Sequence, residues 1–495
     1  MDPRTWFRDL TPYLLFLIFV STLGPFLFGY HLTELNTPLD VITCKRKSLL
    51  GPDAVSSSTL PQCIPMTAEE LGVVSSMFTL GGFLGALVAG TVSTSHGRMH
   101  AMRLAVPFSI LGPIFAALAP NIATMAIGRF ISGLGSGAAM VSVPIYISEL
   151  SPPAEKGFFG AFTQVMVNVG IFLAQLLGYF LAFGQMWRIV LAAAGLVGVG
   201  QLVGLMFSDE SPKWIAANVE GGGPKARKIL RRVRGERFDI DGEFNSWGIA
   251  AGEDDEEQES LLNSPDQQHL PSNKSQSGQG HLGMLQALAS PQTRKAVIAV
   301  IMVMLAQQLC GINSIIMYGV SLLSSLLSSS SALLNLAVSA LNIIVTAACA
   351  PLVDKLGRKP CLLGSIFGMG ISSLALAFSI GYNIKVLSAV AVILFVCSFA
   401  VGLGPVPFIL ASELAVHEAV GATQSWALAS NWIATFVVAQ FFPVVNKALG
   451  EGRVYFIFAA FAAGFFLLVL TFVPETKGKK SAEEVWGHES ERRDD

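Results

Sequence analysis

The chain has 495 residues, of which 52% are hydrophobic and only 13% charged, with a formal net charge of -2 and a mean hydropathy of +0.58. Soluble domains carry roughly 25% charged residues, which excludes a soluble enzyme as a first reading. The few charges gather into short segments between long uncharged stretches, the pattern of membrane spans and loops.

Apolar runs of roughly 20 residues, the length that crosses about 30 Å of hydrocarbon, begin near residues 11, 71, 101, 122, 157 and 187. The first, Pro12 to Tyr30, is long enough to span and lacks a clear small-residue cleavage site, so it reads as a membrane helix and not a cleavable signal. Cys44 and Cys63 sit in the polar loop that follows and are a disulfide candidate. A long polar segment, 208–293, comes next. Within it, KARKILRRVRG at 225–235 predicts a short basic amphipathic helix lying on the membrane surface. Residues 252–280 combine the acidic run Glu253 to Glu257 with Ser, Gln, Asn, Gly and Pro, too little apolar surface to offset ordering entropy, and are expected to be disordered. Six further runs begin near 294, 331, 361, 386, 420 and 453. Cys310, Cys349, Cys361 and Cys397 lie in or beside apolar runs and read as packing residues.

The two sets of six repeat one another. HGR at 96–98 answers LGR at 356–358, PIYISEL at 144–150 answers PFILASEL at 407–414, and ESP at 210–212 answers PET at 474–476. Gly97 to Glu149 is 52 positions against 56 for Gly357 to Glu413, and Glu149 to Glu210 is 61 against 62 for Glu413 to Glu475. Such spacing points to internal duplication, as in many transporter folds. The expected architecture is an all-α membrane protein of twelve transmembrane helices in two six-helix halves: 1–207, a linker 208–293 with its disordered insert over about 240–280, 294–473, and a short tail 474–495. Arg98, Arg103, Lys156, the basic run from Lys225 to Arg237, Lys355, Arg358, Lys359 and Lys477 to Lys480 all fall on one side, against Lys45, Arg46 and Lys47 on the other. The positive-inside rule makes the first side, with both termini, cytosolic.

Polar residues within spans are costly and need a partner or a wet cavity. QQLCGIN in the seventh run supplies Gln307, Gln308 and Asn313; Gln164 and Gln175 lie in the fifth, Asn342 in the eighth, and Asn431 beside Trp432 in the eleventh. Carboxamides both donate and accept hydrogen bonds, as a hydroxyl-rich solute requires. Amides also tie membrane helices together, and that is the structural alternative for any one of them.

HGR at 96–98, GRFISGLGSG at 128–137, PIYISELSP at 144–152, ESPKW at 210–214, QQLCGIN at 307–313, DKLGRK at 354–359, GPVPF at 404–408 and PETKG at 474–478 together resemble the sugar porter family of the major facilitator superfamily, which includes the facilitative glucose transporters. The resemblance covers nearly all spans, excluding roughly residues 240 to 280. It implies the major facilitator fold and transport of a hexose such as glucose by alternating access, as a uniporter or a proton-coupled symporter or antiporter. It also implies sugar contacts from Gln164, Gln307, Gln308, Asn313, Asn342 and Asn431, with Phe399, Phe408 and Trp432 as apolar walls. A cytosolic charge cluster that latches the halves when the cavity faces outward would comprise Arg98, Arg129, Glu149 and Glu210 in the first half and Asp354, Arg358, Glu413 and Glu475 in the second. The chain departs from the family pattern in several places: Met99 replaces the second arginine of GRR, no arginine lies between Val416 and Gly421, Ala400 replaces a polar residue, and Met317 replaces an aromatic.

GYHLTELN at 29–36 puts His31 where the resemblance implies an aspartate in proton-coupled members and an asparagine in uniporters. Histidine is the side chain whose charge changes nearest neutral pH, so His31 is the proton-coupling candidate; a neutral histidine bonded to a neighbouring helix is its structural alternative. EQESLL at 257–262 resembles an acidic dileucine sorting signal, making Glu257, Leu261 and Leu262 a candidate adaptor contact and favouring a vacuolar, lysosome-like membrane over the plasma membrane. The expected partners are thus a small sugar, membrane lipid and protons, with no nucleic acid, cofactor or metal. No span or loop gathers a nucleophile with a base, a metal-ligand cluster or a phosphate-cradling loop, so no enzymatic activity is expected. A transporter of another polyol such as inositol, and a sensor that binds without transporting, are the alternatives.

Overall fold

A computed structural model describes residues 11–45, 60–152, 156–235, 238, 240–245, 247, 284–327, 330–416, 419–450, 452–479 and 482–486. Among them are twelve helices long and apolar enough to cross a membrane. In the first half these are α1 (Pro12–Thr33), α2 (Ala68–His96), α3 (Arg98–Ala117), α4 (Ile122–Leu150), α5 (Lys156–Leu181) and α6 (Trp187–Met206). In the second they are α7, broken into α7a (Pro291–Leu309) and α7b (Ile312–Leu327), α8 (Ser330–Leu356), α9 (Arg358–Gly381), α10, broken into α10a (Lys385–Val401) and α10b (Val406–Glu413), α11 (Val420–Leu449) and α12 (Val454–Phe472). The starts fall within three residues of those read from the apolar runs, because hydropathy and local caps agree. Thr11 accepts from Leu14 N–H, Thr67 and Glu70 form a reciprocal capping box, and Asn121 accepts from Thr124 N–H; each satisfies donors that a helix start leaves orphaned.

Packing follows side-chain size. A Cβ on Gly137 would lie 1.9 Å from the Gly82 carbonyl oxygen, so the small residues of GLGSG let α4 close on α2. Large apolar side chains such as Phe19, Leu196, Met206 and Phe367 remain exposed, as the lipid-facing surface of a bundle requires, since lipid tails are as apolar as leucine.

The basic amphipathic helix forms over Gly223–Arg234, yet its placement corrects the expectation of a helix lying on the membrane. Ala226, Ile229, Leu230 and Val233 are buried in one cluster with Leu14 and Leu17 of α1 and Tyr146 and Leu150 of α4. Arg234, also buried, donates to Glu243 and to the Leu150 and Ser151 carbonyls at the end of α4. The first half offers this apolar stripe a protein surface, which leaves none of it for lipid. Residues 252–280 and the EQESLL run lie outside the described residues.

The halves meet along α2 with α11 and α5 with α8. Ser76 donates to Gln440 at 2.7 Å, Asn168 to Thr346 at 3.0 Å and Ser339 to Gln175 at 2.6 Å.

Candidate functional site

A central cavity lies between the halves. All nine residues expected to contact a solute line it: Gln164 from α5, Gln307 and Gln308 from α7a, Asn313 from α7b, Asn342 from α8, Phe399 from α10a, Phe408 from α10b, and Asn431 and Trp432 from α11. Phe28, Leu32, Met140, Val167, Ile171, Ile312, Ile316 and Leu428 complete the apolar wall. Sequence reasoning missed the polar liners Asn168 and Thr435. Each stands four positions after a predicted residue, Gln164 and Asn431, and so on the same helix face; carrying the helical period one step further finds both.

The amides form two hydrogen-bonded groups facing each other. Asn313 donates to Gln308 at 2.5 Å, Gln308 to the Gln307 side-chain oxygen at 3.1 Å, and Asn431 to that same oxygen. Across the cavity, Gln164 donates to Asn168 at 3.3 Å and Asn342 to Asn168 at 3.4 Å. Gln307 has a second task. Its NH₂ donates to the Leu403 and Gly404 carbonyls at 2.7 and 3.1 Å, groups left without helical partners where α10 breaks, and irregular backbone inside a membrane is tolerated only when so satisfied. Gln175 does not line the cavity and instead bonds α5 to Ser339 of α8, the helix-tying role.

His31 stands outside the cavity, in a fully buried cluster. Its Nδ1 lies 3.0 Å from Glu34 Oε2, and Arg129 Nη1 donates to Glu34 Oε1 at 2.6 Å and to the His31 carbonyl. The Arg129 guanidinium also stacks 4.6 Å from the centre of the Phe78 ring. That placement overturns the assignment of Arg129 to the charge cluster with Glu149: the two are on one helix twenty positions apart, roughly 30 Å at 1.5 Å per residue. Arg129 instead neutralises Glu34, a buried carboxylate that needs a cation beside it. Phe78 packs on Phe28 and Trp432, so one aromatic layer separates the buried charges from the cavity.

The remaining charged residues form two copies of one motif. In the first half the Glu210 carboxylate accepts from the N–H groups of Arg98 and Met99 at 3.0 and 2.9 Å, capping the start of α3 where the helix dipole favours an anion. Arg98 then grips Glu149 with two nitrogens, at 3.0 and 2.8 Å. In the second half Glu475 accepts from Arg358 and Lys359 N–H at 2.9 and 3.0 Å, and Arg358 holds Glu413 at 2.9 and 3.2 Å. Gly97 and Gly357 make the same turn, with φ of +104° and +106°, and a Cβ on either would strike the capping carboxylate, at 2.3 and 2.7 Å. These bonds each tie helices of one half; none of those described joins the halves. Thr476 donates to Glu413, a partner for that carboxylate in a chain with no arginine between Val416 and Gly421. The side chain of Asp354 lies outside the described residues. At the opposite end Cys44 and Cys63 are bonded, and Arg188 and Trp187 donate to the Pro61 and Gln62 carbonyls beside the bridge.

Two pseudo-symmetric six-helix halves around a central, amide-lined cavity define a membrane transporter of the major facilitator fold. The chain matches the family described as Sugar (and other) transporter over residues 17–486, and it belongs to that family. It is 32% identical to a Saccharomyces cerevisiae protein named "Probable metabolite transport protein" over 96% of both chains. It is 28% identical to the rat facilitated glucose transporter member 2, over 95% of this chain and 92% of that one. Its fold superimposes on a partially occluded inward-open structure of the E. coli xylose transporter XylE with a TM-score of 0.73, at 23% identity, covering 95% of this chain and 100% of that one. The protein is thus a multi-pass sugar transporter and not an enzyme.

Proposed function

We propose that the solute is a hexose, held in the central cavity and released to either side by alternating access. The amide set carries this reading: Gln164, Gln307, Gln308, Asn313, Asn342 and Asn431 converge with the Phe399, Phe408 and Trp432 faces on one cavity. Several carboxamides and a few aromatic planes suit a ring with hydroxyls at its edge and C–H bonds on its faces. The membrane end with the two charge clusters is the cytosolic one, supported by its excess of lysine and arginine. Uptake of labelled glucose into sealed proteoliposomes tests the reading, with a panel of hexoses and polyols as competitors. Competition by inositol and not by hexoses sinks the hexose assignment, and absence of any flux favours a sensor.

A second reading concerns the energy source. His31, Glu34 and Arg129 lie buried on α1, its end and α4, one aromatic layer from the cavity, which suits a proton site whose charge state is felt by the solute. Glu34, and not His31 alone, is the group whose charge Arg129 balances, so proton coupling runs through the pair. With an imposed proton gradient, uptake rises in the native protein and becomes gradient-insensitive in Glu34→Gln; equal stimulation of both removes the coupling role. Residence in a vacuolar membrane rests on the EQESLL run, and replacing Glu257, Leu261 and Leu262 with alanine redirects the protein to the plasma membrane if that run is the signal.

A further inference from the structure

We infer that Asn36 is the outer latch of the transport cycle, because its carboxamide occupies both ends of a single rung of α7b. Asn36 lies three residues beyond the end of α1, fully buried, its own N–H bonded to the Thr33 carbonyl at 2.9 Å. Its Nδ2 donates to the Ile316 carbonyl at 2.8 Å, and its Oδ1 accepts from Val320 N–H at 3.2 Å. Residues 316 and 320 are four apart, so this carbonyl and this N–H are the partners that an α-helix pairs with one another. A primary amide, with donor and acceptor on two adjacent atoms, fits across such a rung; a carboxylate supplies no donor, and a hydroxyl offers donor and acceptor only from a single atom.

The contact joins the two halves at the disulfide end, directly above the cavity that Ile316 lines. For the cavity to open to that side, α1 and α7b must part. Parting most buried interfaces strands polar backbone groups, each costly if left unpaired. Here it need strand none, because Ile316 C=O and Val320 N–H, four residues apart on one helix, can pair with each other once the amide leaves, and only the Asn36 amide has to find water. The Ser76–Gln440 bond also crosses the halves but joins two side chains, and on parting the Ser76 hydroxyl keeps the Val73 carbonyl of its own helix while the Gln440 oxygen loses its donor. Asn36 therefore biases the cycle toward the outward-closed state by about one hydrogen bond, roughly a three- to tenfold population ratio, a bias small enough to be reversed in every turnover.

The inference rests on the alternating-access reading and is independent of which sugar is carried. Its test uses the purified full chain with Cys310, Cys349, Cys361 and Cys397 replaced by alanine and spin labels at Ala123→Cys and Lys385→Cys, exposed positions at the outer ends of α4 and α10a. Pulsed distance measurements then give the ratio of outer-open to outer-closed protein. Asn36→Ala raises that ratio about three- to tenfold, and Asn36→Asp, which turns a carboxylate oxygen toward the Ile316 carbonyl, raises it at least as far. Asn36→Gln, which keeps the amide, stays nearer the parent. Unchanged distance distributions in folded Asn36→Ala or Asn36→Asp protein, including a single unshifted population, overturn the latch. Failure of the hexose assignment appears in the uptake competition and leaves these distances unaffected.

Discussion

The two halves are alike at one end and unlike beyond it. At the end that carries Glu149 and Glu413 each builds the same motif, a glycine turn, an arginine paired to a glutamate and a second glutamate capping a helix start, with matching distances and matching φ. Toward the disulfide end the first half holds a buried ion cluster, Glu34 with Arg129 and His31, while the second half supplies most of the cavity amides. Duplication has kept what holds six helices together and let diverge what faces the solute. The difference separates scaffold from function better than burial does, since both regions are largely buried.

Removing one partner of a fully buried ion pair leaves an uncompensated charge and costs about 3–5 kcal/mol. Arg129→Ala is accordingly expected to lower thermal stability in detergent far more than Arg358→Ala, whose side chain is 15% exposed; similar losses for both break the contrast between the regions. Next in size are the cavity amides. Truncating Gln308 or Asn313 to alanine removes a hydrogen-bonding group facing the solute and raises the KM of uptake about tenfold, at about 1–2 kcal/mol per lost bond, with little change in melting temperature. Gln307→Ala differs from both, because it also strands the Leu403 and Gly404 carbonyls, and it is expected to lose stability as well as affinity. The duplicated turn gives the smallest contrast: Gly97→Ala and Gly357→Ala each force a left-handed residue against a carboxylate, a cost of about 1–3 kcal/mol, and matched losses in the two variants sharpen the claim that this end is pure scaffold.

The fold was legible because each of its determinants is local or periodic. Twenty-residue apolar runs set the spans, caps set their starts, and motif repeats at spacings of 52 and 56 residues disclosed two halves. The cavity residues were legible for a related reason, since an amide inside an apolar run is conspicuous by its solvation cost alone. Arg129 was misplaced because a charge near a motif resembles any other charge near a motif; its partner lies 95 positions away on another helix, and no spacing rule reports it. The basic helix was misplaced likewise, since an amphipathic stripe shows that an apolar surface will be covered but not whether lipid or protein covers it.

The amino-acid sequence by itself determined twelve spans, a duplicated architecture and the amide set of a sugar transporter, because hydropathy, capping and desolvation act residue by residue along the chain. Only the tertiary structure decided that Arg129 neutralises Glu34, that Gln307 supports the break in α10, and that Asn36 bridges a rung of α7b. Each of these is a pairing of a side chain with one group on a distant helix, and such pairings exist only once the helices have packed.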